Sequence, residues 1–188
     1  MKSQISVLKN SLSGDLLDGK FDNGRYSTDA SIYQIMPEAV ILPKNIEDIK
    51  KTIQFSQEHN IPILPRGGGT SQNGQTVNRA IVLDNSKYLN KIIEVDAINQ
   101  TCLVEPGVVL DELNRFLKPY GLWFPVDVST SSRATIGGMA GNNSAGGRSI
   151  RYGIMRDNVM SIDALLSDAS EAHFGLSKDN ISGLKSLF

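Results

Sequence analysis

The central part of the chain alternates short apolar runs with one amphipathic segment. Residues 38–42 form an apolar run that ends at a proline, which is typical of a short strand. A helix is predicted over residues 45–58, because Asn45 suits a helix N-cap and isoleucines recur every three or four positions after it. Residues 61–65 predict a second strand with prolines near its ends. A strand, a helix and a strand at this spacing predict a βαβ unit with parallel pairing and a right-handed crossover.

The same patterns predict further strands and a second helix along the rest of the chain. Strands are expected at residues 80–84, 92–95, 102–105, 159–166 and 171–174. The second helix is expected to begin at Gly107 and to end before Pro119. Residues 1–36 combine a weak helical pattern with a loop, whereas residues 176–188 show no convincing helix or strand. We therefore expect one folded domain over residues 37–175, between an N-terminal segment and a tail.

Charge and composition restrict the functional classes. The chain has 188 residues, with Lys+Arg 19 against Asp+Glu 20 and a net charge of -1. This balance lacks the basic surface of a nucleic-acid-binding protein, so we expect no nucleic-acid partner. One cysteine and two histidines exclude a disulfide framework and a cysteine-rich metal cluster within the chain, and we expect no metal site. No signal-peptide pattern and no apolar stretch of about 18 residues occur, so we expect a cytoplasmic protein without a membrane span.

A glycine cluster follows the second predicted strand, at residues 66–75. Three consecutive glycines start it, and a turn of this kind lets backbone N–H groups converge on phosphate oxygens beside the Thr70 and Ser71 hydroxyls. Arg66 either adds positive charge or braces the loop. The cluster does not match the dinucleotide fingerprint, because Gln72 occupies the third glycine position. It does not match a nucleotide-hydrolase P-loop either, because Gln75 replaces the lysine, so an NTPase is a remote alternative. A glycine-rich turn without a ligand stays open as the structural interpretation.

A second glycine cluster lies at residues 134–147 and contains almost no bulky side chain. A segment of this kind can lie against a large polar ligand and offer amides, hydroxyls and carboxamides along its length. Ile136 and Met139 favour a buried, packed segment over the alternative, a flexible surface loop. The residues that follow can add hydrogen bonds at its edge: Arg148, Arg151, Tyr152 and Arg156.

These motifs resemble the FAD-binding domain of the vanillyl-alcohol oxidase/p-cresol methylhydroxylase (PCMH-type) flavoprotein superfamily. The resemblance is closest to the glycolate oxidase and D-lactate dehydrogenase branch, and it rests on residues 65–71 with Gly74, 104–107 and 134–138. Residues 129–144, 149–153 and 156–159 resemble the long members of the branch, which add an iron–sulfur domain.

The resemblance implies an α+β fold with two lobes that hold FAD between them. A small βαβ lobe is expected over residues 37–85, and a larger lobe with a mixed or antiparallel sheet and helices over residues 86–175. The residues implied at the pyrophosphate are Arg66, Gly67, Gly68, Gly69, Thr70, Ser71, Gln72, Gly74 and Gln75. Those implied along the diphosphate, ribityl chain and flavin edge are Thr135, Ile136, Gly137, Gly138, Asn142, Asn143, Ser144, Ala145, Gly146, Tyr152 and Gly153. Those implied near the isoalloxazine are Pro125, Asp127 and Ser129.

The implied function is the FAD-binding portion of a flavin-dependent oxidoreductase that acts on a D-2-hydroxy acid such as D-lactate or glycolate. Residues 69–71 include no histidine or cysteine, and Cys102 falls in a predicted strand, so we expect non-covalent FAD. Family enzymes place the substrate-binding residues in a cap domain. We therefore expect no catalytic residue here, little activity of this chain alone, and a redox partner or C-terminal half supplied elsewhere. A non-catalytic nucleotide-binding or regulatory module without flavin is the alternative.

Three other side chains have structural interpretations. His59 is expected at a helix C-terminus, where a positive charge complements the helix dipole. His173 is expected in the last strand, without a catalytic partner close to it in sequence. Trp123 is expected either beside the flavin or in the core.

Overall fold

The computed structural model describes residues 2–176. The helices are α1 Lys2–Ser11, α2 Lys20–Arg25, α3 Ile46–His59, α4 Leu110–Leu117, α5 Ile136–Gly141, α6 Ser149–Tyr152 and α7 Met155–Asn158. The strands are β1 Asp15–Leu17, β2 Ala39–Leu42, β3 Ile63–Arg66, β4 Ile81–Asp84, β5 Ile92–Asp96, β6 Thr101–Val104, β7 Ser161–Leu165 and β8 Glu171–Gly175. The chain divides into two compact units, with the boundary between Leu89 and Asn90; residues 167–170 belong to the first unit.

The first unit is built on a four-stranded sheet in the order β1-β2-β4-β3. β2 and β3 both run parallel to β4, and β1 is antiparallel to β2. All residues of β2 and β4 are buried, as expected for the central strands of a mixed sheet that is covered on both faces. The core of this unit joins these strands to Ile5 and Leu8 of α1 and to Phe55 of α3.

The predicted parallel βαβ arrangement is confirmed, but its two strands are not hydrogen-bonded to each other. β2 and β3 are parallel, but β4 lies between them and pairs with both, with Ile81 opposite Ala39 on one side and Ile63 on the other. The spacing of β2, α3 and β3 gives no sign that β4, which follows them in sequence, lies between β2 and β3 in the sheet. The short β1 and α2 were also not predicted, because three and six residues are too few to establish a period.

Helix α3 follows the prediction closely. The Asn45 side chain accepts a hydrogen bond from the Asp48 backbone N–H at 2.9 Å, which caps the first turn. The helix ends at His59, and the next residue, Asn60, has a φ of 53°, the left-handed conformation of a common C-cap. The predicted place of His59 is confirmed: its Nδ1 lies 2.9 Å from the Phe55 carbonyl oxygen, and its ring stacks on the Phe55 ring.

The second unit contains two antiparallel hairpins, β5–β6 and β7–β8, together with helices α4 to α7. The predicted closing pair of strands, β7 and β8, is confirmed. The second predicted helix begins three residues later than expected, at Leu110, with Val109 as its N-cap. Its buried residues include Leu110 and Leu113, and Leu110 packs in a cluster with Met139 of α5.

The α+β fold class is confirmed by this arrangement. The predicted tail, residues 176–188, lies outside the described residues except for Leu176. Within residues 2–176, no helix combines the length and the apolar character needed to cross a bilayer.

Candidate cofactor-binding site

The first glycine cluster forms a loop directly after β3, and we call residues 66–76 the glycine loop. Gly69 and Gly74 have φ values of 65° and 72°, the left-handed region that favours glycine. The backbone N–H groups of residues 67–72 donate to no group within residues 2–176. A row of backbone donors without protein partners, at a turn that requires glycine, is suited to binding an anion.

The loop is closed by side-chain hydrogen bonds at its far end. Ser71 is buried, and its hydroxyl donates to Gln75 Oε1 at 2.6 Å. The same hydroxyl oxygen accepts from the Asn73 backbone N–H at 3.2 Å. Ser71 and Gln75, both predicted cofactor contacts, therefore also hold the loop in shape.

Arg66 braces the glycine loop, which is one of the two roles left open by the sequence. Its Nη1 donates to the Thr76 carbonyl at 2.9 Å and the Tyr26 carbonyl at 3.3 Å, and its Nη2 donates to the Thr28 carbonyl at 2.9 Å. A Cβ atom on Gly69 would lie 2.5 Å from Nη2, so the loop backbone passes directly over the guanidinium.

Part of the second glycine cluster, Ile136–Gly141, forms the short helix α5. Thr135 is the N-cap of α5, and its Oγ1 accepts from the Gly138 N–H at 3.3 Å. The Ile136 and Gly137 N–H groups donate to the Val108 and Pro106 carbonyls, both at 2.8 Å. The first amides of α5 are thus already used within the protein, unlike those of the glycine loop.

Close packing explains the glycine at position 137. A Cβ atom there would lie 2.6 Å from the Pro106 Cβ and 2.9 Å from the Pro106 carbonyl oxygen. Gly141, at the end of the same helix, has no such neighbour within 4 Å. One face of α5 lines a cavity of about 540 Å³, whose walls come from α5, β6 and β7. This volume is in the range of small-molecule pockets.

Asp127 and Gly146 lie in contact with each other, although 19 positions separate them in sequence. A Cβ atom on Gly146 would collide with the Asp127 carboxylate and carbonyl oxygens. Asp127 Oδ1 also accepts from the Arg148 backbone N–H at 2.9 Å, and Arg148 Nε lies 3.6 Å from Oδ2. The Asp127 carboxylate therefore organises the start of the segment around α6.

The other predicted residues of the second unit surround this segment. Asn143 has a φ of 47°, and its Oδ1 accepts from the Arg156 N–H at 3.0 Å. The Ser144 carbonyl accepts from the Met155 N–H at 3.0 Å. Gly153 has a φ of 82° and packs against Asp157. The remaining predicted contacts in this part of the chain are Asn142 and Ala145 after α5, and Pro125 and Ser129 in the connection before it.

Trp123 and Tyr152 form an exposed aromatic pair. Their ring centroids are 5.3 Å apart with an edge-to-face geometry, and the Arg148 guanidinium lies 5.2 Å from the Trp123 ring. Trp123 is 41% exposed, so the core interpretation of this residue is wrong.

His173 has an acidic neighbour that the sequence analysis missed. Its Nδ1 lies 2.7 Å from Asp163 Oδ1 on the adjacent strand, and its Nε2 lies 2.7 Å from the Leu176 carbonyl oxygen. The signal was present in the pattern, since antiparallel pairing of β7 and β8 puts these two positions opposite each other. Among residues 2–176, no group of three or more His, Cys, Asp or Glu side chains is placed to hold a metal ion.

The sequence analysis also missed a segment that contacts the glycine loop from the N-terminal side. Tyr26, Thr28, Asp29 and Tyr33 all touch the loop or its Arg66 brace. Their sequence is typical of a loop and carries no periodic signal, so only spatial proximity reveals the contact.

Comparison with known proteins agrees with this architecture. The model of a family described as FAD binding domain matches residues 37–175. The D-2-hydroxyglutarate dehydrogenase of Pantoea ananatis (strain AJ13355) is 40% identical over 156 residues, which are 81% of this chain and 15% of that protein. The glycolate oxidase subunit GlcD of Bacillus subtilis (strain 168) is 39% identical over 159 residues, which are 82% of this chain and 34% of that protein.

A solved structure shows the same fold at lower sequence similarity. The structure of p-cresol methylhydroxylase with substrate bound superposes with a TM-score of 0.79 at 20% identity. The match covers 97% of this chain and 36% of the other. The predicted resemblance is confirmed, and the chain belongs to the FAD-binding domain family.

Proposed function

We propose that this chain binds FAD non-covalently and that the glycine loop holds its pyrophosphate. The observation that carries the proposal is the row of N–H groups at residues 67–72, which have no partner within residues 2–176. Backbone donors of this kind bind phosphate oxygens without a lysine. Because Arg66 donates to three backbone carbonyls, the amides are the principal phosphate donors in this proposal.

The second glycine cluster fits a different part of the cofactor. The first backbone N–H groups of α5 already donate within the protein. In this proposal, residues Thr135 to Gly138 therefore contact FAD through their van der Waals surface and their carbonyl groups. Asn142 to Gly146 add side-chain amides and a hydroxyl. We assign the ribityl chain and the flavin edge to this segment, and the approach to the isoalloxazine to Pro125, Asp127 and Ser129. In this arrangement residues 37–85 and 86–175 are the two lobes of one FAD-binding domain.

Non-covalent binding is supported by the lack of a suitable nucleophile in the glycine loop. Residues 66–76 contain no histidine, cysteine or tyrosine. Each histidine of the chain has its own partners, His59 on Phe55 and His173 on Asp163. Burial raises the pKa of the Cys102 thiol, which makes its reactive thiolate scarcer at neutral pH.

We propose further that the FAD bound by this chain takes part in the oxidation of a D-2-hydroxy acid. The support is the similarity to relatives named D-2-hydroxyglutarate dehydrogenase and glycolate oxidase subunit. The chain spans 15% and 34% of these relatives, so the residues that bind and deprotonate the acid are assigned to polypeptide outside this chain. When bound, FAD supplies two-electron redox chemistry, and the residues described here bind and orient it.

Titration of the apo-protein with FAD tests the proposal. We expect quenching of flavin fluorescence that saturates at one FAD per chain, and free FAD after acid precipitation of the complex. Gly68→Val should abolish binding, because a branched side chain blocks the approach of phosphate to the loop amides. Gly24→Val is the matched control, since a Cβ at Gly24 meets nothing within 4 Å. A folded protein that does not bind FAD would contradict the proposal and favour a regulatory module without flavin.

A second measurement addresses the substrate. We expect no reduction of an artificial electron acceptor when this chain, loaded with FAD, is given D-lactate, glycolate or D-2-hydroxyglutarate. Turnover by the chain alone would place the substrate site within these residues and overturn that part of the proposal.

A further inference from the structure

We propose that residues 26–34, called here the bracing segment, are positioning residues of the FAD site. This inference rests on the proposed function of the glycine loop and extends it to residues that lie before the family match at 37–175. The bracing segment and the glycine loop belong to the same structural unit.

The first contact is aromatic. The ring of Tyr33 lies against Gly74, where a Cβ atom would be only 2.6 Å from Tyr33 Cδ2. Gly74 has a φ of 72°, so the ring covers the backbone at the point where the loop turns. Tyr33 is nevertheless 53% exposed, so its ring contributes little to the core and mainly covers the turn.

The second contact is polar. Asp29 Oδ2 accepts from the Thr76 hydroxyl at 3.0 Å and from the Thr76 backbone N–H at 3.3 Å, while its Oδ1 accepts from the Ser31 N–H at 2.8 Å. Desolvation alone would raise the pKa of Asp29, but the hydrogen bonds from Ser31 and Thr76 together outweigh it and lower the pKa. The carboxylate is therefore ionised at neutral pH and ties the C-terminal end of the glycine loop to the bracing segment.

The third contact runs through Arg66. Its guanidinium donates to the Tyr26 and Thr28 carbonyls on one side and to the Thr76 carbonyl on the other, so it joins the two segments. It also lies 5.2 Å from the centre of the Tyr26 ring. The Tyr26 hydroxyl donates to Asp84 Oδ2 at 2.7 Å, which attaches the bracing segment to the end of β4.

Together these contacts hold both ends of the loop, while the N–H groups of residues 67–72 keep no partner among the described residues 2–176 and can bind a ligand. A loop held in its binding conformation before the ligand arrives loses less entropy on binding. The bracing segment therefore raises FAD affinity without contacting FAD.

Tyr33→Ala tests this inference, with Tyr33→Phe as the conservative variant and Ile32→Ala as the matched control at a residue that is 96% exposed. For Tyr33→Ala we expect the Kd for FAD to rise about three- to tenfold. Tyr33→Phe keeps the ring over Gly74 and should restore the wild-type Kd, and Ile32→Ala should leave it unchanged. The thermal midpoint of each apo-protein is measured in parallel, so that a general loss of stability is recognised.

Hydrogen–deuterium exchange of the apo-proteins provides a readout that needs no FAD. Exchange at the amides of Gln75 and Thr76 should be about three- to tenfold faster in Tyr33→Ala than in wild type, and unchanged in Tyr33→Phe. Thr76→Val, which removes the hydroxyl donor to Asp29, should accelerate the same amides, and it replaces Tyr33→Ala if that variant does not fold. Unchanged exchange would overturn the inference, and so would unchanged FAD affinity with wild-type binding intact. Failure of wild-type protein to bind FAD, with exchange altered as expected, would overturn the proposed function and leave the bracing contacts established.

Discussion

The carboxylate of Asp48 in α3 accepts a hydrogen bond from the backbone N–H of Gly14, 34 positions earlier in the chain, at 2.9 Å. Asp48 is completely buried, and it also accepts from the N–H groups of Ser13 and Lys44 at 2.8 and 2.9 Å. A Cβ atom on Gly14 would collide with the Leu42 carbonyl oxygen, so only glycine can approach this closely. One acidic side chain thus joins the turn before β1 to the start of α3.

Replacement of Asp48 should destabilise the first unit strongly. Asp48→Ala leaves three backbone N–H groups without their acceptor, and we expect the free energy of unfolding to fall by about 2–4 kcal/mol. The control is Glu47→Ala, because Glu47 lies in the same helical turn but is exposed. Urea denaturation followed by circular dichroism measures both variants. Equal losses for the two variants would show that the buried hydrogen bonds contribute no more than an exposed acid in the first turn.

Two glycines of α5 should respond in opposite ways to alanine. Gly137→Ala places a methyl group against Pro106 and should cost about 1–3 kcal/mol of stability. Gly141→Ala meets nothing within 4 Å, and its lower backbone entropy in the unfolded state should leave stability unchanged or raise it by up to about 1 kcal/mol. Thermal and urea unfolding measure the change in stability of each variant relative to wild type. A neutral Gly137→Ala would contradict the close approach of α5 to Pro106.

Alkaline pH should weaken the attachment of the bracing segment. Burial, then the hydrogen bond to Asp84 and its negative charge, raise the pKa of Tyr26 above its ordinary value of 10.0. Because the pKa is higher in the folded state, the stabilisation is complete below about pH 10 and is lost as pH rises above it, with a slope of up to about 1.4 kcal/mol per pH unit.

The comparison of wild type with Tyr26→Phe isolates this effect from the other tyrosines of the chain. The difference in unfolding free energy between the two proteins should be constant from pH 7 to 9 and should shrink from pH 10 to 11. A difference that is independent of pH across this range would show that Tyr26 titrates alike in the folded and unfolded states.

The single cysteine should react slowly. Cys102 is only partly accessible, and burial raises the pKa of its thiol above the ordinary value of 9.0. Alkylation by iodoacetamide at pH 8 should therefore be slower than for an unfolded-chain control in urea, and the midpoint of the rate against pH should lie above 9.0. Labelling at the same rate in native and unfolded protein would contradict the half-buried position in β6.

The local elements and the family motifs were predictable because they depend on short-range chemistry. The cap at Asn45 and the β7–β8 hairpin follow from residues close together in sequence, and their predictions are confirmed. The glycine loop was predicted from local sequence, since consecutive glycines after a strand are typical of a turn whose backbone N–H groups can bind an anion. Whether residues 67–72 bind FAD stays a prediction that the titration will test.

Other features depended on contacts between residues far apart in sequence. β4 lies between β2 and β3 because its two edges pair with these strands. No local sequence pattern indicates which strand edges pair. The sequence left open whether Arg66 adds charge or braces the loop, and its bracing contacts depend on the Tyr26 and Thr28 carbonyls, which lie far earlier in the chain. The amides of α5 are likewise already occupied, because Pro106 and Val108 lie against them.

The amino-acid sequence was sufficient to predict the strands β2 to β8, the helices α3 and α4, the two glycine clusters and the FAD-binding family, because a glycine turn and an amphipathic helix each carry their signal within a few residues. Tertiary structure decided which backbone donors remain free. Hydrogen-bond satisfaction depends on which distant groups the fold brings within about 3 Å. The same kind of glycine-rich sequence therefore has, within residues 2–176, amides without a partner in the glycine loop and occupied amides at the start of α5.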